Sequence, residues 1–194
     1  MSRPSGWQCS TKIEMRTLEQ QFEQQQFSNG YELVNGVAMH AENGEQFQIP
    51  PAVIKRHVLP GQFVELRLDS PRFSVHEDVP ECTCPSCNGQ LTKPILKHDH
   101  PSSLMALPKQ NVPSRGWGED FWVQIAKRSE GVLKGVVDNP LYEARLHGLH
   151  QGDEVIFHED HILAVHDVHR QELVLGMDAD DLKELAQWLG SLRG

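Results

Sequence analysis

The sequence predicts an α+β fold: a mostly antiparallel sheet, or small β-barrel-like lobes, with N- and C-terminal helices and a cysteine-containing, proline-rich insertion. Three observations predict it. Short runs of β-branched and apolar residues are closed by Gly, Asn and Pro turns, as strands are. Two stretches near the ends repeat apolar residues at helical spacing. Between the β segments, residues 69–118 hold Pro71, Pro80, Pro85, Pro94, Pro101, Pro108 and Pro113 and three of the four cysteines, with little periodicity.

These shifts divide the chain into an N-terminal helix and tail (1–28), a first β segment (29–70), the insertion (71–118), a second β domain (119–170) and a C-terminal strand and helix (171–194). Thr11 and Glu14 have the spacing of a capping box. Met15, Leu18 and Phe22 then put an apolar face on a helix over Thr11–Phe27. Its other surface is rich in glutamine (Gln20, Gln21, Gln24, Gln25, Gln26), either for laying the helix on the domain or for pairing with another protein. Tyr31–Val34 and Val37–His40 flank Asn35-Gly36, the dipeptide preferred in two-residue hairpins, and predict a hairpin. Gln46–Ile49 predicts a third strand. Pro51 starts a short helix over Ala52–His57. After the Pro60-Gly61 turn, Val64, Leu66 and Leu68 alternate with Glu65 and Arg67, the pattern of a half-buried strand.

In the second β segment, Phe121–Ala126 and Val132–Val137 form a hairpin through Ser129-Glu130-Gly131, with Gly131 free to take a positive φ. Asp138-Asn139-Pro140 stops the pairing, because proline has no N–H to donate. Gln151-Gly152-Asp153 turns the chain into a strand in which Val155 and Phe157 face one way and Glu154, Ile156 and His158 the other. Ile162–Val165 is the last strand of the unit. An echo links the segments: Pro51…Arg56…Leu59-x-Gly61-Gln62-x-Val64 against Pro140…Arg145…Leu149-x-x-Gly152-Asp153-x-Val155. It predicts two similar lobes or two halves of one sheet. Glu172–Leu175 predicts a further strand. Asp178 caps a final helix whose apolar face is Leu182, Leu185, Ala186 and Leu189, with Gly190 at its end.

Phe121-Trp122-Val123, Gly135-Val136, Asn139-Pro140, Gly152-Asp153-Glu154-Val155 and Ile162 together resemble the pattern of the YegJ-like bacterial domains of unknown function, over roughly residues 119–165. Those domains share an aromatic-Trp-hydrophobic strand, a glycine-bearing second strand, an Asn-x-Pro turn and a Gly-Asp-x-Val strand. Asn139 departs from that pattern by running straight into Pro140. The resemblance implies a fold and carries no reaction with it.

Composition narrows the function. The formal charge is −9, from 27 acidic against 18 basic residues. A nucleic-acid binder needs a basic stripe, and Lys127, Arg128 and Lys134 are too few to make one, so no nucleic-acid partner is expected. No apolar run reaches the ~20 residues of a membrane span. Met1–Gly6 precedes a polar stretch and not a signal-peptide core, which points to the cytoplasm.

The most chemically specific stretch is Cys84-Pro85-Ser86-Cys87-Asn88-Gly89. Thiolates at C-x-x-C spacing can grip one tetrahedral ion, and the proline and glycine suit the tight turn beneath it. Cys82 adds a third sulfur, and His98 or His100 a fourth ligand; His76 and Cys9 are further candidates. The first reading is a structural zinc. A redox C-x-x-C is the alternative, although Asn88-Gly89 does not suit the helix such motifs open, and plain thiols are another. His158, His161, His166 and His169 form a second histidine group without a metal-binding spacing. His147 and His150 read as surface. Of Phe121 and Trp122, one should be core and the other either a binding platform or covered by a helix.

The expected function is a cytoplasmic binding or accessory protein with a structural zinc. One alternative is a metal-dependent hydrolase using ligands in residues 76–100. The other is an immunity or regulatory protein that binds a partner protein through its glutamine-rich helix.

Overall fold

The computed structural model describes residues 16–70, 117–142 and 144–192. The architecture is α+β, as the sequence predicts. Its elements in chain order are α1 (Leu18–Gln24), β1 (Glu32–Leu33), α2 (Gly36–Asn43), α3 (Ala52–Arg56), β2 (Phe63–Ser70), β3 (Trp117–Ser129), β4 (Val132–Val137), α4 (Ala144–His147), β5 (Glu154–His158), β6 (Ala164–Val165), α5 (Arg170–Leu175) and α6 (Ala179–Ser191). Among the described residues the strands form one six-stranded sheet in the order β1-β2-β3-β4-β5, with β6 on β2.

Both β segments therefore contribute to the same sheet, and every pairing is antiparallel. β2 and β3 are in register from Phe63↔Gln124 to Ser70↔Trp117. β3 is longer than the expected Phe121–Ala126 strand, and a register shift between Ile125 and Lys127 bends it. The far edge of β2 is shared by β1, at Leu68 and Asp69, and β6, at Val64 and Glu65. Because β6 follows β5 in sequence and pairs with β2, the chain returns from β5 across to β2 and curls the sheet into a nearly closed barrel.

Val64, Leu66, Leu68, Phe121, Val123, Ile125, Leu133, Val137, Val155 and Phe157 point to the core, as their alternation requires. Fully burying one such side chain contributes roughly 1.5–3 kcal/mol. The expected solvent face of β2 is not open along its length: Arg67 and Asp69 are buried as well. Arg67 donates to Asp120 at 2.7 Å. Burial raises the Glu65 carboxyl above its ordinary pKa, Asp120 adds to the shift and Arg67 opposes it.

The echo between the segments is one of turn geometry. Gly61 and Gly152 both have φ +90°, a value that glycine takes without steric cost. Gly61 N–H donates to the Ile125 carbonyl (2.7 Å), and Ile125 N–H to that of Gln62 (2.8 Å). Gly152 N–H donates to Val137 (2.9 Å), and Val137 N–H to Asp153 (3.0 Å). Each short helix thus feeds a strand through the same two-bond turn against β3 or β4.

Several local expectations are corrected. Asn35-Gly36 is not a hairpin turn: the Asn35 side chain accepts the Ala38 N–H at 2.9 Å and caps α2. A Cβ on Gly36 would lie 2.8 Å from Leu163, so the glycine serves close packing. Gln46–Ile49 forms no strand; a short turn at Gly44–Gln46 occupies its start. Glu172–Leu175 lies in α5 and not in a strand. At the β3–β4 turn the positive φ belongs to Glu130 (51°) and not to Gly131. A Cβ on Gly131 would fall 2.6 Å from His158 Nε2. Finally, α1 starts at Leu18 with its capping box on Thr17 and Gln20. The expected pair Thr11 and Glu14 lies outside the described residues.

Candidate functional site

The first grouping lies where β5 ends. The His158 Nδ1 accepts the Asp160 N–H at 3.2 Å, which bends the chain into a turn at Glu159–His161. His161 folds back so that its Nδ1 stands 3.1 Å from the His158 amide and 3.0 Å from its carbonyl. The ring also meets Phe22 of α1 edge-on at 5.5 Å. Beneath the turn, Lys55 of α3 is only 3% exposed, with its Nζ 4.0 Å from Asp160. The Arg128 guanidinium bonds Glu159 and donates to the Lys55 carbonyl at 2.9 Å. Burial pushes both the Lys55 amine and the His161 imidazole below their ordinary pKa values. Asp160 and Glu159 oppose the lysine shift; the His158 carbonyl and Asp160 oppose the histidine shift.

The outer edge of β5 is closed by side chains. Gln25, at the C-cap of α1, donates its carboxamide N–H to the Ile156 carbonyl at 2.7 Å. Its carboxamide oxygen accepts the Ile156 N–H at 2.8 Å. Leu18 and Phe22 pack on Val132 and Ile156. The glutamine-rich helix therefore lies on its own sheet, and Gln25 is spent on that contact. A cavity of ≈350 Å³ adjoins it, walled by Phe22, Gln25, Phe27, Tyr31 and His161 among others.

Phe121 is core, and Trp122 lies half-buried on the other face. His166 meets the indole edge-on at 5.1 Å. Phe63 stacks on His169 beside it at 5.7 Å.

The third feature is apolar. Asp178 caps α6 by accepting the N–H groups of Asp180 and Asp181, each at 2.9 Å. Arg56 and His57 then clamp its first turns: Arg56 reaches Asp181 (2.5 Å) and Glu184 (2.6 Å), and His57 reaches Asp181 (2.6 Å). Yet no residue of α6 is fully buried. Its apolar stripe overhangs a groove of ≈580 Å³ whose walls include Ile54, Leu163, Val165, Leu173, Trp188 and Leu189. Val168, Val174, Leu175, Leu182 and Leu192 leave further apolar surface open in the same C-terminal region.

The sequence-predicted metal ligands Cys82, Cys84, Cys87, His98 and His100 all lie outside the described residues, as do His76 and Cys9. Among the described residues no three His, Cys, Asp or Glu side chains converge as a metal site. His147 corrects the sequence reading: it is 1% exposed, not on the surface. Its Nδ1 accepts the Leu149 N–H (3.1 Å), its Nε2 lies 3.3 Å from Glu119, and its ring meets Tyr31 at 5.3 Å. Sequence reading also missed Lys55, whose one signal is its place among Val53, Ile54 and Val58. The role of Gln25 has no signal beyond being one glutamine of several.

Among the described residues no helix is long and apolar enough to cross a membrane. No family model, curated protein or solved structure matches the chain.

Proposed function

We propose that the chain is a cytoplasmic binding or accessory protein, without catalysis of its own, that takes an apolar segment of a partner protein into the groove beneath α6. The observation that carries this reading is the groove: ≈580 Å³ of space with mostly apolar walls, left open by a helix that fully buries none of its residues. Exposed apolar surface of this kind favours association, and one Leu or Phe side chain entering it gains roughly 1.5–3 kcal/mol. Asp167 and Arg170 supply the charged part of the lining and orient whatever enters. A photo-crosslinking residue at Leu189 tests the reading. The captured protein should bind the purified chain and lose about tenfold or more in affinity to Ile54→Glu. Equal binding to both forms refutes it.

The same reading includes a structural zinc held by Cys82, Cys84, Cys87 and one of His98 or His100. The C-P-x-C-x-G spacing supports it. Metal analysis should find zinc in the purified chain, and Cys84→Ser should release it and lower the melting temperature. A folded chain purified without zinc ends this part of the proposal. An activity abolished by chelation in a chain that stays folded favours the metal-dependent hydrolase instead.

A further inference from the structure

Leu182, Leu185, Leu189 and Leu192 follow one another at spacings of three, four and three residues. That is the narrow seam by which one helix packs lengthwise on another. On α6 the seam is largely open to solvent: Leu182, Leu189 and Leu192 are 40%, 45% and 57% exposed, and Leu185 is half-buried. Leu192 follows the last helical residue but keeps helical backbone angles, φ −75° and ψ −11°. Arg56 and His57 hold the helix at Asp181 and Glu184, off the seam. The seam is also symmetric along its length. Leu182 and Leu192 lie five positions either side of Gln187, and Leu185 and Leu189 two. A second α6 laid antiparallel about that centre sets Leu182 against Leu192 and Leu185 against Leu189, twice each. Every leucine of the seam then meets a leucine. Ala186 lies beside the centre and adds no bulk to hold the helices apart.

Charge selects the same arrangement. The acids of this segment gather at its start, in Asp178, Asp180, Asp181 and Glu184. Parallel pairing would set these turns side by side. Antiparallel pairing holds the two Asp180 residues about 20 Å apart, at 1.5 Å per residue, well beyond the screening length of about 8 Å. None of Leu182, Leu185, Ala186, Leu189 and Leu192 is charged, so no charge on the seam faces its own copy across the axis. We propose that the protein forms a two-fold dimer in which α6 packs antiparallel on α6 of a second copy, with the leucine seam as its core. The interface is isologous, so it closes at two copies and does not propagate. Leu185, Leu189 and Leu192 also wall the groove beneath α6, so the dimer covers the mouth of that groove. Leu182 and Ala186 are not part of its wall, and the dimer does not depend on the groove taking a partner.

Sedimentation equilibrium on the full chain, across a wide concentration range, tests it. The unaltered chain should pass from monomer to dimer. Leu182→Glu should weaken the dimer about tenfold or more, with the circular dichroism of the monomer unchanged because the position is exposed. Ala186→Glu and Ala186→Lys should each weaken it by setting like charges beside the axis. Mixing those two variants should restore association between unlike copies. Ile54→Glu, on the groove wall, should leave the dimer intact, so the seam and the groove fail separately. The register is read from the double variant Leu182→Cys/Leu192→Cys. These positions lie about 15 Å apart on one helix, too far to bridge within a chain, so a disulfide mapped between 182 and 192 joins two copies. The proposal is overturned if the unaltered chain is monomeric at every concentration or if Leu182→Glu associates as tightly as the unaltered chain. It is also overturned if the mixed Ala186 variants do not associate, if the disulfide joins 182 to 182, or if Leu182 becomes covered only when a different protein is added.

Discussion

Asp181 Oδ2 lies 2.6 Å from His57 Nε2, and this contact ties the last helix to the short helix that leads into β2. Arg56 and then His57 hold the Asp181 carboxyl below its ordinary pKa of 3.8 by hydrogen bonding. The native state therefore binds fewer protons there than the unfolded chain. The contribution is present above pH 3.8 and is lost as pH falls through the lower native value. Trp188 should report the loosening as a red shift in emission on acidification. Asp181→Ala should show the shifted emission already at neutral pH.

His161 contributes a slope at milder acidity. Burial keeps its imidazole below the ordinary 6.5, so the unfolded chain takes up a proton that the native ring resists. Stability should fall as pH drops from 6.5 towards the native value, by at most about 1.4 kcal/mol per pH unit. His158, Asp160 and Lys55 are the charged neighbours that set how far the range extends. Urea midpoints measured from neutral to mildly acidic pH should lose part of this slope in His161→Gln. An unchanged slope would mean that His161 does not carry it.

Lys55→Met should leave stability unchanged or raise it. The amine is buried with one carboxylate 4.0 Å away, and its desolvation outweighs the attraction. Asp160 is partly exposed and can be hydrated once the amine is gone. Gains of about 1–2 kcal/mol are usual when a well-packed apolar side chain replaces a buried charge. A clear drop in the urea midpoint would show the lysine to be net stabilising.

Gly135→Ala should cost about 2 kcal/mol or more. The new methyl group would lie 2.3 Å from Val123 Cγ1 and 2.7 Å from the Gln124 carbonyl oxygen. Because one obstruction is backbone, Val123→Ala should recover only part of the loss in a double-mutant cycle.

Glu130→Gly should stabilise the β3–β4 hairpin by about 0.5–1 kcal/mol, since Glu130 holds a φ of 51° that glycine takes more readily. A raised melting temperature checks it.

Strand patterning was legible wherever one face is buried: the alternation in Val64–Leu68 and Val155–Phe157 identified core residues correctly. Caps written in adjacent residues, such as Asp178, were legible too. The errors came from residues with two physical uses. Asn35-Gly36 suits a hairpin turn equally well as a helix cap at a crowded position, and the distant contacts of Gly36 with Leu163, Asp160 and Ile49 favour the second. Of the candidate features, the apolar stripe of the last helix was read in advance, but not the groove it leaves open. The roles of Gln25, Lys55 and His147 depend on partners 131, 105 and 28 positions away, and no local pattern encodes such pairings.

The sharing of one β2 edge by β1 and β6 has a consequence during synthesis. A nascent chain leaving the ribosome can complete that edge only after Val165 has cleared the tunnel, because residues 164–165 supply one part of it and residues 32–33 the other. Until then Val64, Leu66 and Leu68 lack their finished surroundings and are open to chaperones or to misassociation. Slow translation between Ser70 and Val165 should therefore lower the yield of folded protein more than an equal pause after Val165.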